Sequence, residues 1–127
     1  MASTPTFAST PRYGSVQITS ALTANTASAS AMAGVAAGTR VREIRICSGA
    51  TTAPGGTYKV KVHVYDGTNA RIIDVITLAN STDTLQGTLA YSNLILPSTS
   101  HAIQFSVSTA IASGATLDCT VMGEDLT

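Results

Sequence analysis

The sequence predicts an all-β protein: a single antiparallel β-sandwich of about eight short strands, jelly-roll-like in its topology. Three observations support this class. Residues 57–76 have the pattern of two strands joined by a turn, further short apolar runs are separated by turn residues, and the Ala-rich residues 27–37 lack the large apolar face of a stable helix. The 127 residues are enough for one domain with a sizeable core.

The amino-terminal third is the least regular part of the predicted fold. Residues 1–13 contain prolines among serines and threonines and show no periodicity, so they are predicted to form an extended arm beside a sandwich domain of residues 14–127. Val16 and Ile18 alternate with polar residues and predict a short first strand. Residues 21–39, rich in Ala, Ser, Thr and Gly, predict an irregular loop or a weak strand.

The next strand is predicted at residues 41–48, where two isoleucines face the core. Its alternation of apolar and polar residues breaks at Arg42, which indicates a β-bulge or an edge position there. A long loop that contains Pro-Gly-Gly, residues 49–56, leads from this strand into the hairpin.

The hairpin of residues 57–76 is the clearest local pattern. Side chains on a strand point alternately to opposite faces. The set predicted to face the core is Tyr58, Val60, Val62 and Val64, and the set predicted to face solvent is Lys59, Lys61, His63 and Tyr65. The turn, residues 66–69, is Asp-Gly-Thr-Asn, whose members tolerate positive φ or cap a turn. The return strand, residues 71–78, is apolar on nearly both faces, which indicates a central strand or one whose outer face meets a partner.

The carboxy-terminal part of the chain predicts further short strands in the same way. The alternation is cleanest after His101, and a glycine precedes the last apolar run. The predicted segments are residues 85–91, the short apolar segment 94–97 that ends in proline, 101–108 and 117–122.

The charge content excludes some partners and favours others. Only 11% of the residues are charged, against about 25% in an average soluble protein, and seven basic residues balance seven acidic ones. No long-range field therefore attracts the chain to nucleic acid or to an anionic membrane. No basic-then-apolar signal opens the sequence and no run approaches the roughly 18 apolar residues of a membrane span. We expect synthesis in the cytoplasm and a subunit built to contact other subunits.

The sequence offers no recognisable catalytic set, so we expect no enzyme, no cofactor and no metal. His63 and His101 are the only histidines, and both are predicted to be surface side chains. The aspartates flank turns without the dense spacing of a calcium loop, and no serine lies in a nucleophile-elbow pattern. No glycine-rich loop precedes a helix, so no phosphate cradle is predicted.

The two cysteines are predicted to be small buried or half-buried thiols. Cys119 alternates with apolar residues that face inward, whereas Cys47 faces the other way from its apolar neighbours. A disulfide and a metal site are the alternatives that the sequence leaves open.

One surface has the composition of a ligand-binding face. The polar set of the hairpin strand combines basic and aromatic side chains, and Arg42 and Arg45 are candidates to join it from a neighbouring strand. Such a face can bind sugar or nucleic acid. With four tyrosines, two phenylalanines and no tryptophan in the chain, a solvated sheet face or a subunit contact is the competing interpretation.

Several of these segments together resemble one family. The residues concerned are Thr-Arg-Val-Arg-Glu-Ile-Arg-Ile at 39–46, the glycine-rich loop that ends at Gly56, the hairpin from Val62 to Ile76, and Leu-Ile-Leu-Pro at 94–97 followed by the strand from His101. Across residues 15–123 the sequence resembles small proteins encoded among the head and tail genes of tailed bacteriophages and prophages. The resemblance implies a β-sandwich subunit of the virion that decorates the capsid, forms a spike base or associates with the tail.

From this resemblance we expect a structural virion protein that binds the capsid or a head-proximal assembly as a decoration, cement or spike-base subunit. Its expected partners are copies of itself, as a trimer or pentamer, and the major capsid protein or neighbouring virion subunits. The expected assembly contacts are Phe7, Tyr13, Ile72 and Ile76. The alternative is a carbohydrate-binding or receptor-binding module of a phage fibre or baseplate, which would use Lys59, Lys61, His63 and Tyr65.

Overall fold

The computed structural model describes residues 9–126, and this part of the chain contains eight β-strands and no helix. Among these residues, therefore, no helix is long and apolar enough to cross a membrane. The strands are β1 Ser9–Thr19, β2 Met32–Ala33, β3 Thr39–Ser48, β4 Lys59–Tyr65, β5 Ala70–Thr77, β6 Leu85–Leu96, β7 Ala102–Val107 and β8 Thr116–Leu126.

The strands form two four-stranded antiparallel sheets that face each other. The first sheet has the order β1-β8-β3-β6 and the second sheet the order β2-β7-β4-β5. The pairs β1 with β8, β2 with β7, β3 with β6 and β4 with β5 are those of one long hairpin of eight strands folded over into two layers. This is the jelly-roll topology, and the predicted all-β sandwich is confirmed.

The core lies between the two sheets and is made of side chains at alternate strand positions. Val60 and Val62 of β4 are fully buried, as the hairpin pattern predicts, while Tyr58 and Val64 pack against the core from partly buried positions. The other large buried side chains come from both sheets and the loops between them: Ile18, Val41, Ile44, Ile46, Leu78, Leu96, Ile103, Phe105, Val107 and Leu117.

Both cysteines, which lie within residues 9–126, are free thiols. Cys119 is buried on the inner face of β8, and Cys47 is half-buried on β3. Burial raises the pKa of the Cys119 thiol, with smaller contributions from Asp118 and Cys47, so Cys119 stays a neutral apolar side chain at neutral pH.

The first strand is longer than the sequence predicts. β1 begins at Ser9 and pairs with β8 along its whole length, so residues 9–13, which the sequence placed in the arm, belong to the sandwich. A proline is tolerated in this stretch because β1 is an edge strand. Arg12 fastens the strand, since its guanidinium lies 2.9 Å from a carboxylate oxygen of Asp125 and donates to Thr39 Oγ1 at 3.2 Å. Phe7 lies outside the described residues.

The remaining elements confirm some predictions and correct others. The bulge expected at Arg42 is present, because the register of β3 shifts between Val41 and Glu43 against both of its neighbours. The irregular character predicted for residues 21–39 is confirmed, since β2 contributes only two residues. The segment 94–97 is not separate, because β6 runs on to Leu96. β5, for which a central position was one expectation, is an edge strand of the second sheet.

Candidate assembly surface

The hairpin of β4 and β5 forms one end of the second sheet, and its turn is held by the side chain of Asp66. Asp66 Oδ1 accepts hydrogen bonds from the backbone N–H groups of Thr68 at 2.9 Å and Asn69 at 2.7 Å. These two bonds lower the pKa of the Asp66 carboxyl group, the bond from Asn69 contributing most. Gly67 supplies the positive φ, +97°, that the turn requires. The hairpin is thus fixed at its tip.

A β-bulge in β5 sets which of its side chains face outward. His63 of β4 pairs with Ile72 and Val62 pairs with Asp74, so Ile73 is an extra residue without a partner on β4. Ile72 consequently lies on the outer face of the sheet with Val75, which pairs with Lys61. The alternation of the sequence gives no sign of this bulge.

The outer side of β5 is therefore an exposed apolar strip. Ile72 is 53% exposed, Ile73 38% and Val75 44%. β5 pairs with β4 along one edge, and no strand within residues 9–126 pairs with its other edge. We call these three residues the β5 strip. Exposed β-branched side chains on an unpaired strand edge are a surface suited to contact with another protein.

The inner side of β5 is used within the subunit. Asp74 Oδ2 accepts a hydrogen bond from the hydroxyl of Tyr91 on β6 at 3.1 Å. Burial, together with the charge of Asp74 and this hydrogen bond, raises the pKa of Tyr91. Ile76 packs against the core, and a Cβ atom added at Gly87 would lie 2.9 Å from its Cδ1 atom. Of the two β5 residues predicted as assembly contacts, Ile72 is exposed and Ile76 is directed inward.

Tyr13 is exposed at the opposite end of the sandwich. It lies on the outer face of edge strand β1 beside Met122 of β8, and it is 75% exposed. β1 lies over β2 at one end of the sandwich, and β5 lies over β6 at the other. The structure therefore does not bring Tyr13 and the β5 strip together, but places them on two separate surfaces.

Most side chains of the predicted ligand face are buried or form hydrogen bonds within the subunit. Lys59 is exposed, whereas Lys61 Nζ donates to Asn25 Oδ1 at 2.9 Å and the Tyr65 hydroxyl donates to the carbonyl of Gly67 at 2.9 Å. His63 was predicted to be a solvated surface side chain, but it is only 9% exposed. No ligand-sized cavity opens on this face or elsewhere on the described surface.

The two arginines expected to extend this face belong to the other sheet. Arg42 and Arg45 are on β3, where Arg42 pairs with Glu124 at 2.6 Å and Arg45 with Glu43 at 3.0 Å. Their charges are satisfied on the outer face of the first sheet. Among residues 9–126, no group of His, Cys, Asp or Glu side chains is placed to hold a metal ion.

His63 is buried, although it faces outward as its strand position predicts. Its Nε2 atom lies 2.6 Å from Ser106 Oγ on β7. Its Nδ1 atom is buried, and no group in the described part of the chain forms a hydrogen bond with it. Burial lowers the pKa of His63, and the positive charge of Lys61 lowers it further.

Comparison with known proteins finds a likeness of fold. No protein-family model matches the sequence, and no curated protein matches it either. Among solved structures, a chain of the cyanophage Pam1 capsid asymmetric unit is similar, with a TM-score of 0.58 and 18% sequence identity. The match covers 98% of this chain and 91% of that chain. At this identity the comparison shows a shared architecture over nearly the whole length of both chains.

Proposed function

We propose that this chain is a structural protein of a tailed-bacteriophage virion, which binds the capsid or a head-proximal assembly as a decoration, cement or spike-base subunit and has no catalytic activity. The observation that carries the proposal is the fold shared over 98% of the chain with a component of a phage capsid asymmetric unit. The resemblance of residues 39–46, 62–76 and 94–97 to phage head and tail proteins supports it from the sequence side.

The surface of the subunit supports a role in assembly. The β5 strip leaves three large apolar side chains in water on a strand edge, and only 11% of the residues are charged. Proteins that remain monomeric usually protect such edges with charge, proline or a covering segment. Contact with a neighbouring subunit buries the strip and removes this liability.

The positions of the two exposed surfaces favour a ring of identical subunits. Tyr13 lies at the β1 end of the sandwich and the β5 strip at the other end. When the β1 end of one copy contacts the β5 end of the next, the contact is heterologous, and such contacts generate closed rings when the rotation between successive copies closes. A trimer or pentamer built in this way attaches to the capsid as one unit.

The proposal is tested with a charge placed on the β5 strip. We expect Ile72→Lys to leave the fold intact and to abolish the oligomer in light scattering and the attachment to purified particles. Ile95→Lys is the matched comparison, because Ile95 is also an exposed isoleucine, 42% exposed, at the same end of the sandwich but on β6 of the first sheet, so it separates the β5 strip from the rest of that end. Retention of the oligomer and full attachment by Ile72→Lys would contradict the proposed contact. Absence of the wild-type chain from purified virions would contradict the virion role itself.

No observation favours the carbohydrate-binding alternative. Of the four side chains proposed for it, Lys61 and Tyr65 are bonded within the subunit and His63 is buried. A glycan array probed with the wild-type protein and with Lys59→Ser is the direct test. Binding that depends on Lys59 would support that alternative.

A further inference from the structure

An irregular segment crosses from β1 to β2 along the edge of the second sheet; we call residues 20–31 the crossover segment. The N–H of Asn25 donates to the carbonyl of Val107 at 2.7 Å, and the N–H of Ser28 donates to that of Phe105 at 2.7 Å. Ser28 Oγ in turn accepts a hydrogen bond from the N–H of Phe105 at 3.0 Å. The crossover segment is thus bonded to β7 on both sides of Ser106, the residue that contacts His63.

The surroundings of the His63 ring disfavour its protonated form. As a neutral ring it needs one donor and one acceptor, and the 2.6 Å contact between Nε2 and Ser106 Oγ satisfies one of its two nitrogen atoms. A protonated ring carries an N–H on both nitrogen atoms, and the buried Nδ1 then becomes a charged donor without an acceptor.

The groups around His63 do not compensate for a positive charge. Lys61 and Tyr65 flank it on β4, Gln104 and Ser106 face it from β7, and Ile72 faces it from β5. Asn25 Oδ1, in the crossover segment, accepts a hydrogen bond from the ammonium group of Lys61. None of these supplies a carboxylate, because Asp74 lies on the opposite face of β5 with Tyr91.

We propose that His63 is an acid-sensitive latch, whose protonation releases the crossover segment from β7 at the edge of the second sheet. In the closed state, the ring is neutral and contacts Ser106. When the ring is protonated, repulsion from Lys61 and the unpaired Nδ1–H favour an open state. In this state Ser106 moves away from His63, the hydrogen bonds from Asn25 and Ser28 to β7 are broken, and water reaches the imidazolium.

The pH at which the latch opens follows from the burial of the ring. The pKa of His63 in the closed state is lower than the 6.5 of an unperturbed histidine. The open state therefore binds a proton at a higher pH than the closed state does. The latch is fully closed above pH 6.5 and weakens as the pH falls from there towards the pKa of the closed state.

Hydrogen exchange at the amides of Asn25 and Ser28 measures this opening directly. We expect their protection, corrected for intrinsic exchange rates, to be lower at pH 5.5 than at pH 7.5 by up to roughly tenfold, because pH 5.5 lies one unit below the unperturbed pKa of 6.5. His63→Gln should remove this acid dependence. His101→Gln should retain it, since His101 is the other histidine and bonds Ser98 at the far end of the strand. Equal acid responses of wild type and His63→Gln, or unchanged protection of the wild-type amides, would overturn the proposal.

A second variant keeps the test decisive if His63→Gln does not fold. Lys61→Gln keeps a donor for Asn25 but removes the charge beside His63, so the NMR titration midpoint of His63 should rise and the loss of protection at pH 5.5 should shrink. An unchanged midpoint would contradict the role of Lys61 in the latch. Both measurements use the isolated full chain, so their failure would leave the proposed virion role standing.

Discussion

Replacing Val62 with aspartate places a carboxyl group in the middle of the core. Val62 lies on β4 between β5 and β7, is 0% exposed, and pairs with Asp74 on one side and Phe105 on the other. The new side chain would therefore lie beside an existing carboxylate and against an aromatic ring. We expect Val62→Asp to prevent folding.

The size of the effect follows from burial. Loss of the valine side chain removes about 2 kcal/mol of apolar burial. A carboxyl group buried without a hydrogen-bond partner costs roughly 2–7 kcal/mol even in its neutral form. The sum, about 4–9 kcal/mol, is comparable with the whole stability of a domain, roughly 5–15 kcal/mol.

Urea denaturation followed by circular dichroism measures the change. Val62→Thr is the control that preserves the shape of the side chain, and it should remain folded with a loss of about 1–3 kcal/mol. Lys59→Ser, at an exposed position of the same strand, should change the free energy of unfolding by about 0.5 kcal/mol or less. Soluble Val62→Asp protein as stable as the wild type would show that the faces of β4 are assigned the wrong way round.

Three further predictions concern the ends of the sandwich. Arg12→Ala removes the 2.9 Å contact with Asp125 and should lower the free energy of unfolding by about 1–3 kcal/mol in a urea titration. Asp66→Ala removes the hydrogen-bond acceptor of the turn and should lower the melting temperature at pH 7. Because the pKa of Asp66 is lowered in the folded state, this difference from the wild type should shrink as the pH falls below 3.8, the unperturbed pKa of aspartate. It should vanish once the pH has fallen through the pKa of the folded state. Deletion of residues 2–8 should leave the melting temperature of the isolated subunit unchanged but weaken oligomerisation. Deletion of residues 2–12 also removes part of β1, so it should lower the melting temperature as well as weaken oligomerisation. A 2–12 deletion as stable as the wild type would contradict the role of residues 9–12 in the sheet.

Much of the fold is predictable from the sequence because alternation is a local property. Val60 and Val62 alternate with lysines, and the turn that follows consists of residues that tolerate its backbone angles, so the amino-acid sequence alone is enough to predict the hairpin. The break at Arg42 is local in the same sense, and the bulge lies where the pattern fails. The pairing of β1 with β8, β2 with β7, β3 with β6 and β4 with β5 is different, because it depends on how the strands pack together and not on any local pattern.

The features that the sequence conceals depend on contacts between distant segments. β1 extends to Ser9 because its backbone pairs with β8 and because Arg12 forms an ion pair with Asp125. Neither contact produces an alternating pattern in the sequence near the start of the chain. β5 is apolar on both faces for two different reasons, since Ile76 packs on the core and Ile72 is turned outward by the bulge. His63 is buried on the outer face of β4, where it contacts Ser106 of β7, although its place in the alternating pattern predicts a solvated side chain.

The central claim is that this chain is a subunit of a phage virion, and a cryo-electron microscopy map of the intact particle tests it most directly. The proposal predicts jelly-roll density for this chain on the capsid or on a head-proximal assembly, in rings of three or five copies, with Ile72 and Tyr13 buried between neighbouring copies. A particle that lacks this density, in preparations where the chain is expressed, would contradict the account.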